Sequence, residues 1–409
     1  MKMPVAPKVR LLVLALTVSG LVVAQQTPPG PPAPPPLPAN NIPQPGELGG
    51  PLLGLSVEQL SAFDAGRIEF ENVETPATGL GPIFNNVSCV ACHSRPAVGG
   101  GSGITVTRFG KSENGVFDAL ESKGGSLLQQ FAINPAVRET IPPEANVIAR
   151  RLTTPLFGAG LIEAIPDQAI RQNAATPKPD GITGRVAVIK DPASGEMRVG
   201  RFGWKAQHAT LLSFAGDAYN NEMGITNRLF PTENAPNGNV ELLKRFDRLA
   251  DPEDTVDPVT GRSDIDAAAD FMRLLAAPAP AALSPSALAG QTLFAQAGCA
   301  ACHTPSYQSG RSPIAALDRK PVNLFSDLLL HDMGSLGDGI GQADAGTTEM
   351  RTAPLWGLRF RRQLLHDGRA GNTDVAIREH DGEAAIARNR YLGMSAQQRR
   401  QLQDYLNTL

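Results

Sequence analysis

The chain has 409 residues, enough for two or three domains, and a formal net charge of −3. A charge so near neutral gives no reason to expect nucleic acid or another polyanion as a partner. Charged residues make up only 19%, while 41 glycines and 35 prolines favour a loop-rich body over a plain helical bundle.

Lys2, Lys8 and Arg10 precede an apolar run over 11–23, and Val22-Val23-Ala24 offers small residues for cleavage. The run is short for a membrane span, so residues 1–24 read as an export signal, with an uncleaved anchor as the alternative. Either outcome places the body in the periplasm or outside the cell. Residues 25–50 are rich in proline and read as an extended linker without a core. A first helix is expected from Ser56 to about Phe70. Ser56-Val57-Glu58-Gln59 forms its capping box, and Leu60, Phe63 and Ile68 form its apolar face.

Next comes Cys89-Val90-Ala91-Cys92-His93, five residues after Phe84. Two thiols at this spacing can each form a thioether to a haem vinyl group, and the adjacent His93 then becomes the proximal iron ligand. Gly99-Gly100-Gly101 comes after it, a loop able to approach a cofactor closely. The motif returns as Cys299-Ala300-Ala301-Cys302-His303, again five residues after a phenylalanine, Phe294. These two sites use all four cysteines. A redox disulfide or half a zinc site is the competing reading. The trailing histidines, the duplication and the export signal favour two covalently bound haem c groups, each carrying iron.

Between the motifs, residues 104–150 read as short strands and loops. Thr153-Thr154-Pro155-Leu156-Phe157-Gly158 leads into a helical pattern through Ile162 and Ile165, and returns as Thr352-Ala353-Pro354-Leu355-Trp356-Gly357. Both halves therefore share two elements in the same order, an internal duplication. Val186, Val188 and Val199 flank the turn Asp191-Pro192-Ala193-Ser194-Gly195 and predict a small β-hairpin. Helices are expected over Thr210–Ala218 and over Asp264–Leu275, the latter with Ile265, Phe271, Met272 and Leu275 inward. Another is expected from Ser284-Pro285 into the second motif, and a last one from about Ser395 with Leu402, Tyr405, Leu406 and Leu409 inward. The fold expected is mainly α, with two cytochrome c-like haem domains, long loops and a small β-hairpin insertion. Residues 51–279 would form the catalytic haem domain and 280–409 the electron-transfer haem domain.

Four further histidines remain: His208, His331, His366 and His380. None lies between His93 and His208, so the first haem has no nearby downstream imidazole for its distal side.

Several ordered stretches carry a family resemblance. They are Gly79-Leu80-Gly81-Pro82-Ile83-Phe84-Asn85, Thr154-Pro155-Leu156-Phe157-Gly158, Arg201-Phe202-Gly203-Trp204-Lys205-Ala206 and Asn221-Glu222-Met223-Gly224-Ile225-Thr226. In the second half they are Leu328-Leu329-Leu330-His331-Asp332-Met333-Gly334 and Leu364-Leu365-His366-Asp367-Gly368-Arg369-Ala370. Over about 55–409 the chain resembles the bacterial di-haem oxidoreductases, a family named for thiol oxidation or for peroxidase activity. It is similar, more distantly, to di-haem cytochrome c peroxidases and to the di-haem enzyme that matures methylamine dehydrogenase.

The resemblance implies an enzyme in which peroxide reacts at the N-terminal haem and the C-terminal haem passes electrons to it. His93 and His303 would be the proximal ligands, Trp204 the aromatic bridge between the haems, and Glu222 the distal carboxylate. The peroxidases carry a glutamine ten residues after the bridging tryptophan; here that position is Phe214. The change removes a hydrogen-bond donor and makes the pocket more apolar. The distal ligand of the second haem lies fourteen residues beyond the histidine of the His-Asp-Gly string, which is His380, with Met394 in reserve. His331 and His366 would orient propionates or loop backbone, and His208 is a minor candidate for the first iron. Calcium is doubtful, because Arg361 and Gln363 replace the expected ligands. Electrons would come from a small soluble cytochrome or copper protein. Two other readings stay open: a non-enzymatic di-haem electron carrier, and an oxygenase acting on an apolar substrate. Oligomeric state and physiological substrate have no signature here, and no additional cysteine supports thiol oxidation.

Overall fold

The computed structural model describes residues 43–247, 249 and 254–409; the expected export signal, and the expected linker as far as residue 42, lie outside the described residues. No helix among those described is long and apolar enough to cross a membrane.

Five helices frame the two cysteine motifs: α1 Val57–Glu71, α2 Leu211–Met223, α3 Asp264–Leu274, α4 Pro285–Ala297 and α5 Ala396–Leu406. Side-chain oxygens of Ser56, Thr210, Ser284 and Ser395 cap α1, α2, α4 and α5 by accepting a first-turn amide. α1 packs on α3, and α4 packs on α5. Both crossings are made at a glycine. A Cβ at Gly66 would stand 2.3 Å from the Ala267 carbonyl oxygen, and one at Gly290 would stand 1.9 Å from that of Gln401. Only a residue without a side chain allows such an approach. The duplication seen in the cysteine motifs thus extends to the helix pairs around them.

Within α1, Phe63, Gly66 and Phe70 form the buried stripe. Ile68, expected on that stripe, is 72% exposed. It comes five residues after Phe63, which carries it well round the helix from a face that recurs every three or four. α2 runs past its expected end at Ala218 to Met223, where Gly224 closes it at φ +65° with its amide on the Asn220 and Tyr219 carbonyls. That extra turn carries Glu222. α3 buries Ile265, Phe271, Met272 and the adjoining Leu275 as expected.

The expected hairpin is present, with Val188–Lys190 antiparallel to Met197–Val199. It is not the main sheet, and the expectation of a mainly α fold with only this small insertion needs correction. β1 (Thr105–Glu113) pairs antiparallel with Val116–Asp118, with Leu127–Leu128 and, along its length, with β2 (Val147–Leu152). β1 is half-buried at successive positions and lacks the alternation that marks a strand with one wet face. One of its faces looks into a cavity, and at nine residues it is longer than the short strand pieces expected over 104–150.

One core cluster joins α1, α2 and α3 and also takes in Val322, Leu324, Leu328 and Leu329. A second gathers Phe294, Tyr391, Leu402 and Tyr405 around α4 and α5.

Candidate active site

Each Cys-x-x-Cys-His stretch is a single helical turn on the wall of a large cavity. Cys89–Cys92 is capped by Ser88, whose Oγ accepts from Ala91 N at 3.3 Å. Cys299–Ala301 is preceded by Gly298, which sits at φ +91°. The same pair of bonds then orients both histidines. His93 Nδ1 lies 3.0 Å from the Gly100 carbonyl oxygen, and Leu156 N donates to the preceding carbonyl, Gly99, at 2.8 Å. His303 Nδ1 lies 3.0 Å from Phe325 O, and Leu355 N donates to Leu324 O at 2.9 Å. In each half the Thr-x-Pro-Leu element therefore holds the loop that aims the histidine.

A carbonyl accepts only from N–H, so Nδ1 carries the proton and the ring's lone pair is left on Nε2. Metal-binding histidines use this outer bond to fix tautomer and ring orientation. Burial pulls both rings down to about 4, so they are neutral, the form that binds a metal.

The cavity of the second motif has about 1330 Å³ of empty space, its solvent-open mouth included, and its wall includes His303, His331, His366 and His380. His380 faces His303 with ring centroids 6.5 Å apart, and its Nδ1 donates to Ala376 O at 2.7 Å. Two metal–nitrogen bonds of about 2 Å, plus half a ring on each side, call for such a separation. His331 has no nitrogen to spare. Its Nε2 meets Asp327 Oδ2 at 3.0 Å and its Nδ1 meets Glu383 Oε2 at 2.8 Å. Burial opposes its charge, but these carboxylates outweigh burial and keep it protonated. Met394 packs in the second core away from the wall, which carries Met333 and Met350 instead.

The cavity of the first motif has about 1180 Å³ of empty space, its solvent-open mouth included, and His93 is the one histidine on its wall among the described residues. α2 contributes Phe214, Asp217 and Glu222, and the sheet contributes Arg108 and Arg151. Burial raises the pKa of Glu222, and Asp217 adds to this, while Arg108 and Asn85 oppose it. The Glu222 carbonyl accepts from Asn85 N at 2.7 Å and Asn86 N at 3.2 Å, which fastens the approach to the motif onto the end of α2. Burial also works against ionised Asp217, but His208, Arg108 and Asn221 hold its carboxyl below the usual range. His208 Nδ1 lies 3.1 Å from Ser213 Oγ and its Nε2 stands 3.2 Å from Asp217 Oδ2 without hydrogen-bond geometry, and the residue is not on the cavity wall.

Phe214 does line the cavity, stacked on Phe202 with centroids 5.9 Å apart and 6° between planes. Gln207 lines it too, an amide that sequence reasoning missed. No spacing signal pointed to it, because the position where the resemblance puts a glutamine holds Phe214. Trp204 is buried and lies on the wall of both cavities. Its Nε1 donates to Leu152 O at 2.8 Å, and its ring stands T-shaped to His366 at 6.3 Å.

A tetrahedral metal ion would need donors converging on a point. Among the described residues the one convergent group is Cys302, Asp327 and His331, and Lys178 already occupies Asp327 at 3.0 Å. Burial pushes the thiols of Cys92 and Cys299 up to about 12 and about 11, away from the thiolate that zinc requires. Large cavities, unprotonated Nε2 atoms and opposed imidazoles instead suit a flat macrocycle with a central iron.

A family model described as "Di-haem oxidoreductase, putative peroxidase" matches residues 136–409, a span that holds Trp204, Glu222 and the second motif. No curated protein sequence matches the chain. Solved structures do. Hydrazine synthase of Kuenenia stuttgartiensis is 15% identical with a TM-score of 0.42, over 93% of this chain and 100% of that one. A MauG-like protein associated with microbial copper homeostasis is 16% identical with a TM-score of 0.40, over 87% and 90%. The diheme peroxidase BthA of Burkholderia thailandensis E264 is 14% identical with a TM-score of 0.39, over 85% and 86%.

Proposed function

Because the chain belongs to the di-haem oxidoreductase family, we propose that it is an exported enzyme reducing hydrogen peroxide at a haem in the first cavity, with electrons relayed from a haem in the second. The inequality of the two walls carries this reading. The second cavity offers two opposed imidazoles, and the first offers His93 alone among the described residues.

Cys89 and Cys92 would hold the first haem by thioethers, and Cys299 and Cys302 the second. His93 would hold the iron of the first haem, and His303 and His380 that of the second. When bound, the haems supply one-electron chemistry, with a coordination position for the oxidant at the first.

The protein's own part is proton handling, insulation and routing. Glu222 takes a proton from one peroxide oxygen and returns it to the other as the O–O bond breaks. Its raised pKa brings it nearer the range where one group can both accept and donate. Phe214 and Phe202 form an apolar side that keeps bulk water from the reacting atoms, while Gln207 supplies the amide donor that position 214 lacks. Trp204, on both walls, is the route for an electron between the sites. A small soluble cytochrome or copper protein is the electron donor. Calcium has no part in this reading. Arg361 on the second wall, pulled down to about 10 by burial, places a cation where the resemblance puts a calcium ligand.

Phe214 on the wall also favours a second reading, oxygenation of an apolar substrate. Stopped-flow spectroscopy of the reduced holoprotein separates the two. Peroxide should perturb the first haem at once, with oxidation of the second coming after. A protein inert to peroxide that changes on mixing with oxygen supports the oxygenase.

A further inference from the structure

The first cavity contains a feature that peroxide chemistry does not use. On the antiparallel pair β1 and β2, Val106 stands opposite Arg151, and Arg108 is two residues along on the same face. Side chains two apart on a strand share a face, so both guanidinium groups reach the cavity from one wall. Arg151 is only 5% exposed, and each arginine has a buried nitrogen without a hydrogen-bond partner: Nε of Arg108 and Nη2 of Arg151.

Several of their other nitrogens are occupied. Arg151 Nε pairs with Asp338 Oδ2 at 2.7 Å, and its Nη1 donates to Gln342. Arg108 Nη1 donates to Ser126 Oγ at 3.2 Å. Asp217 and Glu222 share the cavity and act on Arg108 through space, yet neither carboxylate takes the vacant nitrogens. Burial, and after it the neighbouring Arg151, pull Arg108 down to about 10 against the opposing pull of Asp217, Glu222 and Asp338. A buried donor left unmade costs about 1–3 kcal/mol, and more when charged. Two on one wall imply an anion that comes with a ligand.

We infer that Arg108 and Arg151 form a carboxylate-binding site on the sheet side of the first cavity, supplied by the propionate of the haem bound there. Planar guanidinium groups match a carboxylate better than any other common anion except phosphate. The inference rests on the reading that a haem occupies the first cavity. A free small carboxylate entering beside the haem has the same chemistry, and the experiment distinguishes the two sources.

The test uses the matured holoprotein, wild type against Arg108→Gln, with Arg108→Lys as the charge-retaining control. Arg108 is chosen because Arg151 also neutralises Asp338. Haem content is measured first, and the spectrum of the second haem reports that the variant is folded. Resonance Raman then reads the propionate band of the first haem, and a redox titration reads its potential. With the propionate source, Arg108→Gln shifts the band and lowers the potential, because an uncompensated propionate favours the oxidised iron; Arg108→Lys restores most of both. Acetate then has no saturable effect on the wild type. With the free-carboxylate source, the band stays put while acetate saturably alters the first haem's spectrum in the wild type, at least tenfold more weakly in Arg108→Gln. That result keeps the carboxylate site and removes the propionate. Two haems present with the band, potential and acetate response all unchanged in Arg108→Gln overturns the site. One haem per chain, carried by the second motif alone, overturns the haem reading and the site with it.

Discussion

His303 and His380 face each other across the second cavity with ring centroids 6.5 Å apart, each held by an Nδ1 bond to a backbone carbonyl. The first motif has His93 in the place of His303 and no counterpart of His380 on its wall among the described residues. The proposed division of labour between the two sites rests on that difference.

Removing the second imidazole should make the two sites alike. His380→Ala is expected to convert the second haem from six-coordinate low-spin to high-spin, and added imidazole should restore the original spectrum. Visible and resonance Raman spectroscopy track both changes. A second haem that stays low-spin in the variant would assign its distal ligand elsewhere, with Met333 or Met350 on that wall as the next candidates.

Glu222 is expected to trade stability for turnover. Its pKa is raised on folding, chiefly by burial. Its contribution to stability is therefore fully present below the ordinary carboxylate range and is lost as pH rises through the raised value. Glu222→Gln removes that loss, so its melting temperature at neutral pH should equal or exceed that of the wild type. Peroxide turnover should fall by on the order of 10²–10⁴-fold, the usual worth of a positioned acid–base group. Turnover in the wild type should decline as acid protonates Glu222, and the variant should lack that limb. A variant with wild-type turnover removes Glu222 from the chemistry.

Trp204, the proposed bridge, is next in sequence to a residue of a buried ionic cluster. Lys205 Nζ meets Asp338 Oδ1 at 3.0 Å and the carbonyls of Gly346 and Glu349 at 3.0 and 2.5 Å. Asp338 also pairs with Arg151, the neighbour of Leu152, whose carbonyl receives the Trp204 indole. Burial drags Lys205 down to about 8, and Asp338 is held low by Arg151 and Lys205 against its own burial, so both are charged at neutral pH. Asp338→Asn strands two cations, which typically costs about 3–5 kcal/mol. Denaturant unfolding of the holoprotein measures this, and electron transfer from the second haem to the first should slow as Trp204 loosens. A loss below about 1 kcal/mol would place the cluster among the dispensable surface pairs.

Much of the fold could be read from local signals. Caps at Ser56, Ser284 and Ser395, the proline after Ser284 and the Asp191–Gly195 turn are short-range choices, and the structure uses each of them. The duplicated motifs were legible too, including the paired Thr-x-Pro-Leu strings, although nothing in the strings told that they brace the histidine loops. What escaped was whatever faces a cavity. β1 carries arginine and valine on a face that looks inward, because the inside there is a cofactor-sized space and not packed protein. Arg108, Arg151 and Gln207 were given no role for the same reason. Ile68 failed in the opposite sense, as an apolar residue on the solvent side of α1.

The sharpest test of the unequal sites is electron paramagnetic resonance of the oxidised holoprotein, with no added ligand. One high-spin and one low-spin ferric haem in equal amounts is the expected result, the low-spin signal giving way to a second high-spin one when His380 is replaced. Two low-spin haems would contradict an open position at the first site and leave an electron carrier in place of an enzyme.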